Sequence, residues 1–280
     1  MALNMEAIGK KIGPLIKKYE WKDVVLYALG VGAGFEELHY TYEKNLQVIP
    51  TFSMAMIFDF FLQAATVSNI NLAGTVHGEQ DITFFRPIPV SGTMITEGKI
   101  TDYHDKGPKG AVVVAQSETS HSSGHKLFTS TLTLFGRLDR GFGGQDAPRQ
   151  MIDFPERVPD DVIEARPLPD QPLIYRLSGD IFPLHADPEF AHMMGFEKPI
   201  MHGLCTLGFA CRALTASLAS GEPEKVRRIA CRFSQPLYPG EPIKTMIWKT
   251  IEGHAVWRTV HAETGAIVID RGLFEYGDIP

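Results

Sequence analysis

The chain is poor in cysteine, and the cysteines it has are not spaced like a metal or redox motif. Cys205, Cys211 and Cys231 are the three cysteines in 280 residues. An odd number without a Cys-x-x-Cys pair argues against a disulfide framework and against a structural zinc site. We therefore expect reduced thiols, a cytoplasmic location and no bound metal.

Long uninterrupted apolar runs and an excess of positive charge are also missing. Residues 60–78 carry no charged side chain, but polar residues and Gly74 interrupt them, which predicts a buried helix running into a loop rather than a membrane span. The segment up to Lys18 lacks the apolar core of a signal peptide, and the chain does not end in a peroxisomal tripeptide. The net charge of −6 gives no electrostatic footprint for nucleic acid.

The chain shows the same order of elements twice. An apolar helix is predicted from Thr51 to Ala65 and another over 202–220, and each is apolar on most of its faces, so each should be enclosed. Strand-like runs follow each helix, at 77–86, 93–102, 111–119 and 126–137 and again at 228–233, 242–252, 254–262 and 266–276. A repeated order at a common interval indicates an internal duplication. The pattern predicts an α+β fold in which a sheet wraps each helix.

Composition divides the chain into three parts. Residues 1–140 form the first copy, and residues 171–280 form the second. A stretch over 141–170 begins with Gly141-Phe142-Gly143-Gly144 and is then rich in Pro, Asp and Glu, which predicts a linker.

Residues 175–188 are the stretch with the strongest chemical signal. Asp180 and His185 are separated by Pro183, which fixes its own φ and disfavours helix at the residue before it. Both side chains can therefore face one point on a stiff turn. A carboxylate and an imidazole that face one water molecule are suited to general acid/base catalysis. The alternative for an isolated pair of this kind is a capping Asp and a structural His.

Gly203 adds a second feature, because it opens the apolar helix of the second copy. The first residues of a helix have backbone N–H groups without intrahelical partners and carry a partial positive charge. Such a donor stabilises an oxygen that gains negative charge during a reaction. Gly203 is therefore a candidate catalytic residue through its main chain.

The pattern Tyr-x-Leu-Ser-Gly-Asp-x-x-Pro-Leu-His-x-Asp-Pro at 175–188, followed by Pro-Ile-Met-His-Gly-Leu-Cys at 199–205, resembles the MaoC-like (R)-specific 2-enoyl-CoA hydratases, or hydratase 2 enzymes. The resemblance covers nearly the whole chain. It implies a double hot-dog fold with one catalytic site, carried by the second copy, while the degenerate first copy makes acyl-tail and CoA contacts. It also implies hydration of trans-2-enoyl-CoA to (R)-3-hydroxyacyl-CoA, or the reverse, in a β-oxidation-type or related acyl-CoA pathway.

The resemblance assigns catalysis to Asp180, His185 and Gly203. It implies contacts with the CoA thioester from a larger set: His77, Gly78, Lys106, Ile181, Phe182, Pro183, Leu184 and Phe233. It further implies a homodimer with an acyl-CoA substrate and no cofactor, since coenzyme A is part of that substrate. No nucleic-acid or membrane partner is expected.

Phe182 departs from the family pattern, which usually has Asn at this place. A phenyl ring cannot hydrogen-bond to water or to the catalytic pair as an amide can. Two alternatives follow: Phe182 reshapes the pocket for a bulky acyl group, or the chain is a non-catalytic acyl-CoA-binding subunit. An acyl-CoA thioesterase on the same fold is a further alternative.

Overall fold

The computed structural model describes residues 3–148 and 152–278. Within these ranges the helices are α1 Trp21–Gly30, α2 Leu38–Thr41, α3 Phe52–Met56, α4 Phe58–Ser68, α5 Gln171–Tyr175, α6 Pro188–Met193 and α7 Gly203–Leu218. The strands are β1 Lys11–Tyr19, β2 Thr75–Phe84, β3 Gly92–Asp105, β4 Ala111–His121, β5 Lys126–Gly136, β6 Asp161–Ala165, β7 Val226–Phe233, β8 Ile243–Lys249, β9 His254–His261 and β10 Ile267–Tyr276. Residues 1–2, 149–151 and 279–280 lie outside the described residues, and the expectations about the two chain ends and the middle of the linker fall partly on them.

The described strands form one antiparallel sheet in the order β1-β3-β4-β5-β2-β7-β10-β9-β8-β6. Its first five strands come from the first copy, and its last five are four strands of the second copy and β6, which lies in the 141–170 stretch. The copies meet where β2 pairs with β7, with Glu79 opposite Arg232 and Thr83 opposite Arg228. The two predicted sheets are present, and they join edge to edge into a single sheet. Backbone hydrogen bonds therefore tie the halves together along this seam.

Each half-sheet packs on an apolar helix, as expected for a double hot-dog. Helix α4 packs against β1, β3 and β4, and α7 packs against β6, β7, β8 and β10. The predicted helix at 202–220 is confirmed as α7, and the eight predicted strands are present within a few residues. No helix among the described residues combines the length and the apolar character needed to cross a membrane.

The helix predicted from Thr51 is interrupted. Helix α3 ends at Met56 and α4 begins at Phe58, with Ile57 between them at φ −103° and ψ 13°. The Lys17 ammonium donates a hydrogen bond to the carbonyl oxygen of Ala55 at 3.1 Å, at the point of the break. A lysine from a distant strand thus satisfies a carbonyl at the end of α3. Sequence periodicity contains no signal for such a long-range donor.

Two strands were not predicted. Strand β1 contains Pro14 and has a register shift between Ile12 and Leu15, which an edge strand tolerates. Strand β6 lies inside 141–170 and pairs with β8, from Asp161 opposite Ile247 to Ala165 opposite Ile243. The prediction of a linker over the whole of 141–170 is therefore wrong for this part, because β6 is the edge strand of the second half-sheet. Its residues alternate between half-buried and exposed, with Val162 and Glu164 exposed, because an edge strand has one side open to water.

Helices of the two halves also contact each other directly. Gly208 on α7 faces Val31, which follows α1, and a methyl group at Gly208 would lie 2.7 Å from Val31 Cβ and 3.3 Å from the Tyr27 hydroxyl. Both neighbours are almost completely buried, so neither has space to move. Gly208 is thus required by close helix packing.

We expect Gly208→Ala to lower the free energy of unfolding by about 1–3 kcal/mol, because overpacking at this contact outweighs the better helix propensity of alanine. Urea unfolding followed by circular dichroism measures the change. Ala216→Gly, on the exposed face of the same helix, is the control and should cost about 1 kcal/mol through propensity alone. A Gly208→Ala protein more stable than wild type would contradict the packing explanation.

Candidate active site

The turn that carries Asp180 and His185 is irregular, as the sequence indicated. After α5 the chain makes a 3₁₀ turn at Arg176–Ser178, passes Gly179 at φ +142°, and enters a second 3₁₀ turn at Pro183–His185. The positive φ of Gly179 is strained for a residue with a side chain, which explains a glycine directly before Asp180. The backbone N–H of Phe182 donates to Oδ1 of Asp180 at 3.2 Å and fixes the carboxylate within the turn.

The structure brings Asp180 and His185 together. One carboxylate oxygen of Asp180 and one ring nitrogen each of His185 and His202 lie within 4.8 Å of one another. The expectation that Asp180 and His185 face a common point agrees with this geometry. His202, which the sequence analysis did not single out, is a third member of the group.

His185 presents a free electron pair on one nitrogen. Its Nδ1 lies 2.9 Å from the carbonyl oxygen of Ile200. A carbonyl oxygen only accepts, so Nδ1 must carry the hydrogen and Nε2 of the neutral ring is left as an acceptor. Burial lowers the pKa of His185 to about 4, so the imidazole is uncharged at neutral pH and Nε2 can accept a proton or a hydrogen bond.

The pKa of Asp180 is shifted in the opposite direction from that of His185. Burial raises the pKa of its carboxyl group to about 6, although the N–H of Phe182 and the charge of Arg176 act to lower it. The carboxylate therefore changes protonation close to neutral pH, where a general base is most effective. Asp180 and His185 are both suited to proton transfer because burial acts on each in the direction that its chemistry requires.

The residue types Asp, His and His also occur in metal sites, but their arrangement here does not suit a chelate. The rings of His185 and His202 are stacked, with centroids 3.7 Å apart and planes inclined by 26°. A metal ion binds in the plane of an imidazole, about 2.1 Å from the nitrogen. Two rings stacked face to face cannot both place one ion in their planes at that distance.

Gly203 is the first residue of α7, next to this group. His202 is the N-cap, with extended backbone angles of φ −61° and ψ 131°. The phenyl ring of Phe233 lies so close that a Cβ atom on Gly203 would approach it to 2.9 Å. Glycine is thus needed where Phe233 covers the helix end, and the first-turn N–H groups lie beside the Asp180 turn.

An aromatic wall reaches from the first half to Gly203. The rings of Phe58 and Phe61 are stacked at 5.6 Å, Phe61 lies 5.4 Å from His77, and His77 lies 5.1 Å from Phe233. Burial lowers the pKa of His77 to about 4, so this ring too is neutral. Gly78 follows at a register shift between His77 and Glu79 in the pairing of β2 with β5. The predicted substrate residues His77, Gly78 and Phe233 are therefore neighbours beside the candidate site.

The side chains of residues 181–184 do not all face this site. Leu184 is buried in a small separate cluster, and the ring of Phe182 packs against it and meets Phe190 edge-on at 5.2 Å. Ile181 is 63 % exposed, and Pro183 is exposed as well. The part of this segment that lies near Asp180 is its main chain, above all the N–H of Phe182.

Lys106 lies at the same end of the sheet but apart from the group around Asp180. It precedes the 3₁₀ turn Gly107–Lys109 between β3 and β4. Strand β3 is three positions from β2 in the sheet, or about 14 Å across. The carboxylate of Asp105 accepts N–H groups of Gly107 and Gly143, both at 2.7 Å, and so ties the glycine-rich segment to this loop.

A narrow space of about 180 Å³ lies beside Asp180. It is lined by Met54, Ala55, Phe58, Tyr175, Ser178, Asp180 and Leu204. A larger cavity, of about 710 Å³ by the same measure, lies at the opposite ends of β2 and β7 against Phe84 and Val226. The larger cavity is thus remote from the acid/base pair.

Comparisons with known proteins agree with these features. The first half matches the MFE-2 hydratase 2 N-terminal domain over residues 18–137, and the second matches the MaoC-like domain over residues 147–271. The second range contains Asp180, His185 and Gly203.

Full-length relatives are similar over almost the whole chain. The chain is 41 % identical to 3-hydroxyacyl-thioester dehydratase Y of Mycobacterium tuberculosis, over 99 % of each protein. It is 37 % identical to the probable enoyl-CoA hydratase 2 of Dictyostelium discoideum, over 96 % of this chain and 94 % of that one. The crystal structure of a MaoC-like dehydratase from Phytophthora capsici superposes with a TM-score of 0.88 at 30 % identity, over 98 % of both chains. The chain therefore belongs to the MaoC-like dehydratases of the hydratase 2 type.

Proposed function

We propose that the protein is a lyase that adds water to trans-2-enoyl-CoA thioesters to give (R)-3-hydroxyacyl-CoA, and that it also runs the reverse dehydration. The observation that carries the proposal is the convergence of Asp180 and His185 beside the helix end at Gly203. The names of the two relatives, an enoyl-CoA hydratase 2 and a 3-hydroxyacyl-thioester dehydratase, support the same reaction. Acyl-CoA conversion in lipid metabolism follows as its setting.

In the proposed mechanism one water molecule donates one O–H to the Asp180 carboxylate and the other to Nε2 of His185. The water oxygen attacks the β-carbon while Asp180 takes the proton from the breaking O–H bond. The thioester becomes enolate-like, and the backbone N–H of Gly203 stabilises the charge on its oxygen. Asp180 then returns the proton to the α-carbon, so one C–O and one C–H bond form on the same face.

The contacts with the CoA thioester are proposed from the family resemblance and from position. His77, Gly78 and Phe233 lie beside Gly203, and the ammonium of Lys106 stands at the same end of the sheet. An ammonium group on a loop is a suitable partner for phosphates. The residues from Ile181 to Leu184 are proposed to contribute main chain, because two of their side chains pack elsewhere.

Three further proposals concern the cofactor, the compartment and the oligomeric state. The mechanism runs on Asp180, His185 and Gly203 and needs no metal or redox cofactor. The three cysteines are free and buried, which supports a reducing compartment, and we propose the cytoplasm. A homodimer is proposed from the family resemblance alone.

We expect Asp180→Asn to lower the rate of enoyl-CoA hydration by about 10²–10⁴-fold, because the amide cannot take the proton from water. Loss of enoyl absorbance measures the rate. Asp187→Asn is the matched control, since Asp187 caps α6 through the N–H groups of Glu189 and Phe190, and asparagine caps equally well. Hydration within a few-fold of wild type in Asp180→Asn would exclude this role. Release of free thiol by the wild type would favour the thioesterase alternative.

The pH dependence follows from the pKa of Asp180. The base form is the carboxylate, so kcat/KM should be level above about pH 6 and fall tenfold per pH unit below it. His185, with a pKa of about 4, is still largely neutral when Asp180 is half protonated near pH 6, so the first loss of rate reports Asp180. Initial rates between pH 4.5 and 8.5 test the prediction, and a rate that rises as the pH falls below 6 would show that the acid form is active.

Phe182→Asn should reduce stability by about 1–3 kcal/mol and leave the hydration rate within about threefold of wild type. The ring packs on Phe190 away from the reacting atoms, and the substitution keeps the N–H that Asp180 accepts. Thermal unfolding and steady-state rates on crotonyl-CoA measure both effects. Phe190→Asn, on the other side of the same ring contact, is the packing control. A rise above tenfold in Phe182→Asn would show that an amide at this place enters the site.

A further inference from the structure

His202 connects the parts of the candidate site. It lies directly before Gly203 and is only 1 % exposed. One face of its ring stacks on His185 at 3.7 Å, and the ring of Tyr175 lies 4.8 Å away. Its carbonyl oxygen accepts the N–H of Thr206 at 3.1 Å, which begins the hydrogen bonding of α7. A single buried residue thus contacts the imidazole, the helix end and the Asp180 turn.

The contact with the Asp180 turn is a hydrogen bond to main chain. Nε2 of His202 lies 3.0 Å from the carbonyl oxygen of Asp180. Because that oxygen only accepts, Nε2 must carry the hydrogen, and the ring is in the opposite tautomer from His185. Nδ1 of His202 is buried without a hydrogen-bond partner among the described residues. The orientation of the ring is therefore set by Nε2 and by stacking.

The stacked pair is stable only when it carries little positive charge. Burial and the neighbouring His185 lower the pKa of His202 well below its usual range. A proton on either imidazole would place a positive charge 3.7 Å from the other ring, away from water. Both rings are thus neutral at neutral pH, and His185 keeps its electron pair free.

We propose that His202 is a positioning residue, which holds the Asp180 main chain and the His185 ring in fixed relation to the Gly203 amide. The inference rests on the proposed hydration reaction and adds to it a residue outside the group of Asp180, His185 and Gly203 to which the mechanism gives a role. A displacement of about 1 Å between reacting groups can lower a rate by about 10²-fold. A donor to the backbone of Asp180, stacked on His185, limits such displacement.

Two substitutions test separately the two contributions of His202, its hydrogen bond to Asp180 and its stacking on His185. His202→Phe keeps an aromatic ring against His185 and loses the donor to Asp180. His202→Gln loses the ring but keeps an N–H donor about as far along the side chain as Nε2. We expect kcat to fall on the order of 10- to 100-fold in the Phe variant, with KM within about threefold. The Gln variant should lose less than about tenfold.

The pH profile distinguishes positioning from a loss of folded enzyme. Without the bond to its carbonyl, the Asp180 turn can open to water, so the acid limb of kcat/KM should move below pH 6 in His202→Phe. If His202→Phe only reduced the fraction of folded enzyme, the pH at which kcat/KM begins to fall would not change. Thr215→Val is the control on the same helix, because Thr215 is equally buried and its hydroxyl donates to the carbonyl oxygen of Cys211 within the helix. Thr215→Val should keep the wild-type kcat and the wild-type pH dependence of kcat/KM.

A spectroscopic test does not depend on activity and so separates this inference from the proposed function. Long-range ¹H–¹⁵N spectra of wild type, with His202 assigned by its absence in the variants, should show a neutral ring protonated at Nε2 at pH 7. A ring protonated at Nδ1, or a charged ring, would overturn the proposal. So would a folded Phe variant with kcat within threefold of wild type. If the Phe variant does not fold, a folded Gln variant that loses more than tenfold overturns it, and a smaller loss supports it.

Discussion

The pairing of β2 with β7 is the constraint on which the rest of the structure depends. It joins two half-sheets that each wrap a helix, and it sets the start of β2 beside the end of β7. His77 from the first copy and Phe233 from the second are in ring contact for this reason. The candidate site therefore draws on both copies, although the acid/base pair belongs to the second alone. The matching order of elements in the two halves agrees with the internal duplication that the sequence indicates, and the Asp180–His185 motif stands in the second half.

Burial favours the uncharged form of both Asp180 and His185. It raises the pKa of Asp180 to about 6 and lowers the pKa of His185 to about 4, since a low-dielectric environment disfavours charge of either sign. The same turn must therefore keep its polar atoms paired. The N–H of Phe182 and the main-chain bonds of His185 and His202 pair three of these atoms, whereas Nδ1 of His202 and Oγ of Ser178 have no partner among the described residues. The first two pairings fix the directions of the Asp180 carboxylate and the His185 ring, and the third holds the main chain of Asp180.

Local signals predicted much of this from sequence. The apolar period of α7, the proline between Asp180 and His185, and the glycine at the helix start are short-range features, and the structure agrees with each. Features that depend on distant partners were missed. The break at Ile57 involves Lys17 from β1, and β6 forms at the edge of the sheet through its pairing with β8. His202 belongs to the sequence motif at 199–205, but only tertiary contacts show that it touches both Asp180 and His185.

The central claim is that a thioester and a water-derived hydroxyl occupy fixed places among Asp180, His185 and Gly203. A crystal structure with bound (R)-3-hydroxybutyryl-CoA tests it most directly. We expect the 3-hydroxyl oxygen within about 3.2 Å of both the Asp180 carboxylate and Nε2 of His185, and the thioester oxygen at a similar distance from the Gly203 nitrogen. A hydroxyl group bound away from the pair, or a thioester oxygen turned away from α7, would contradict the claim.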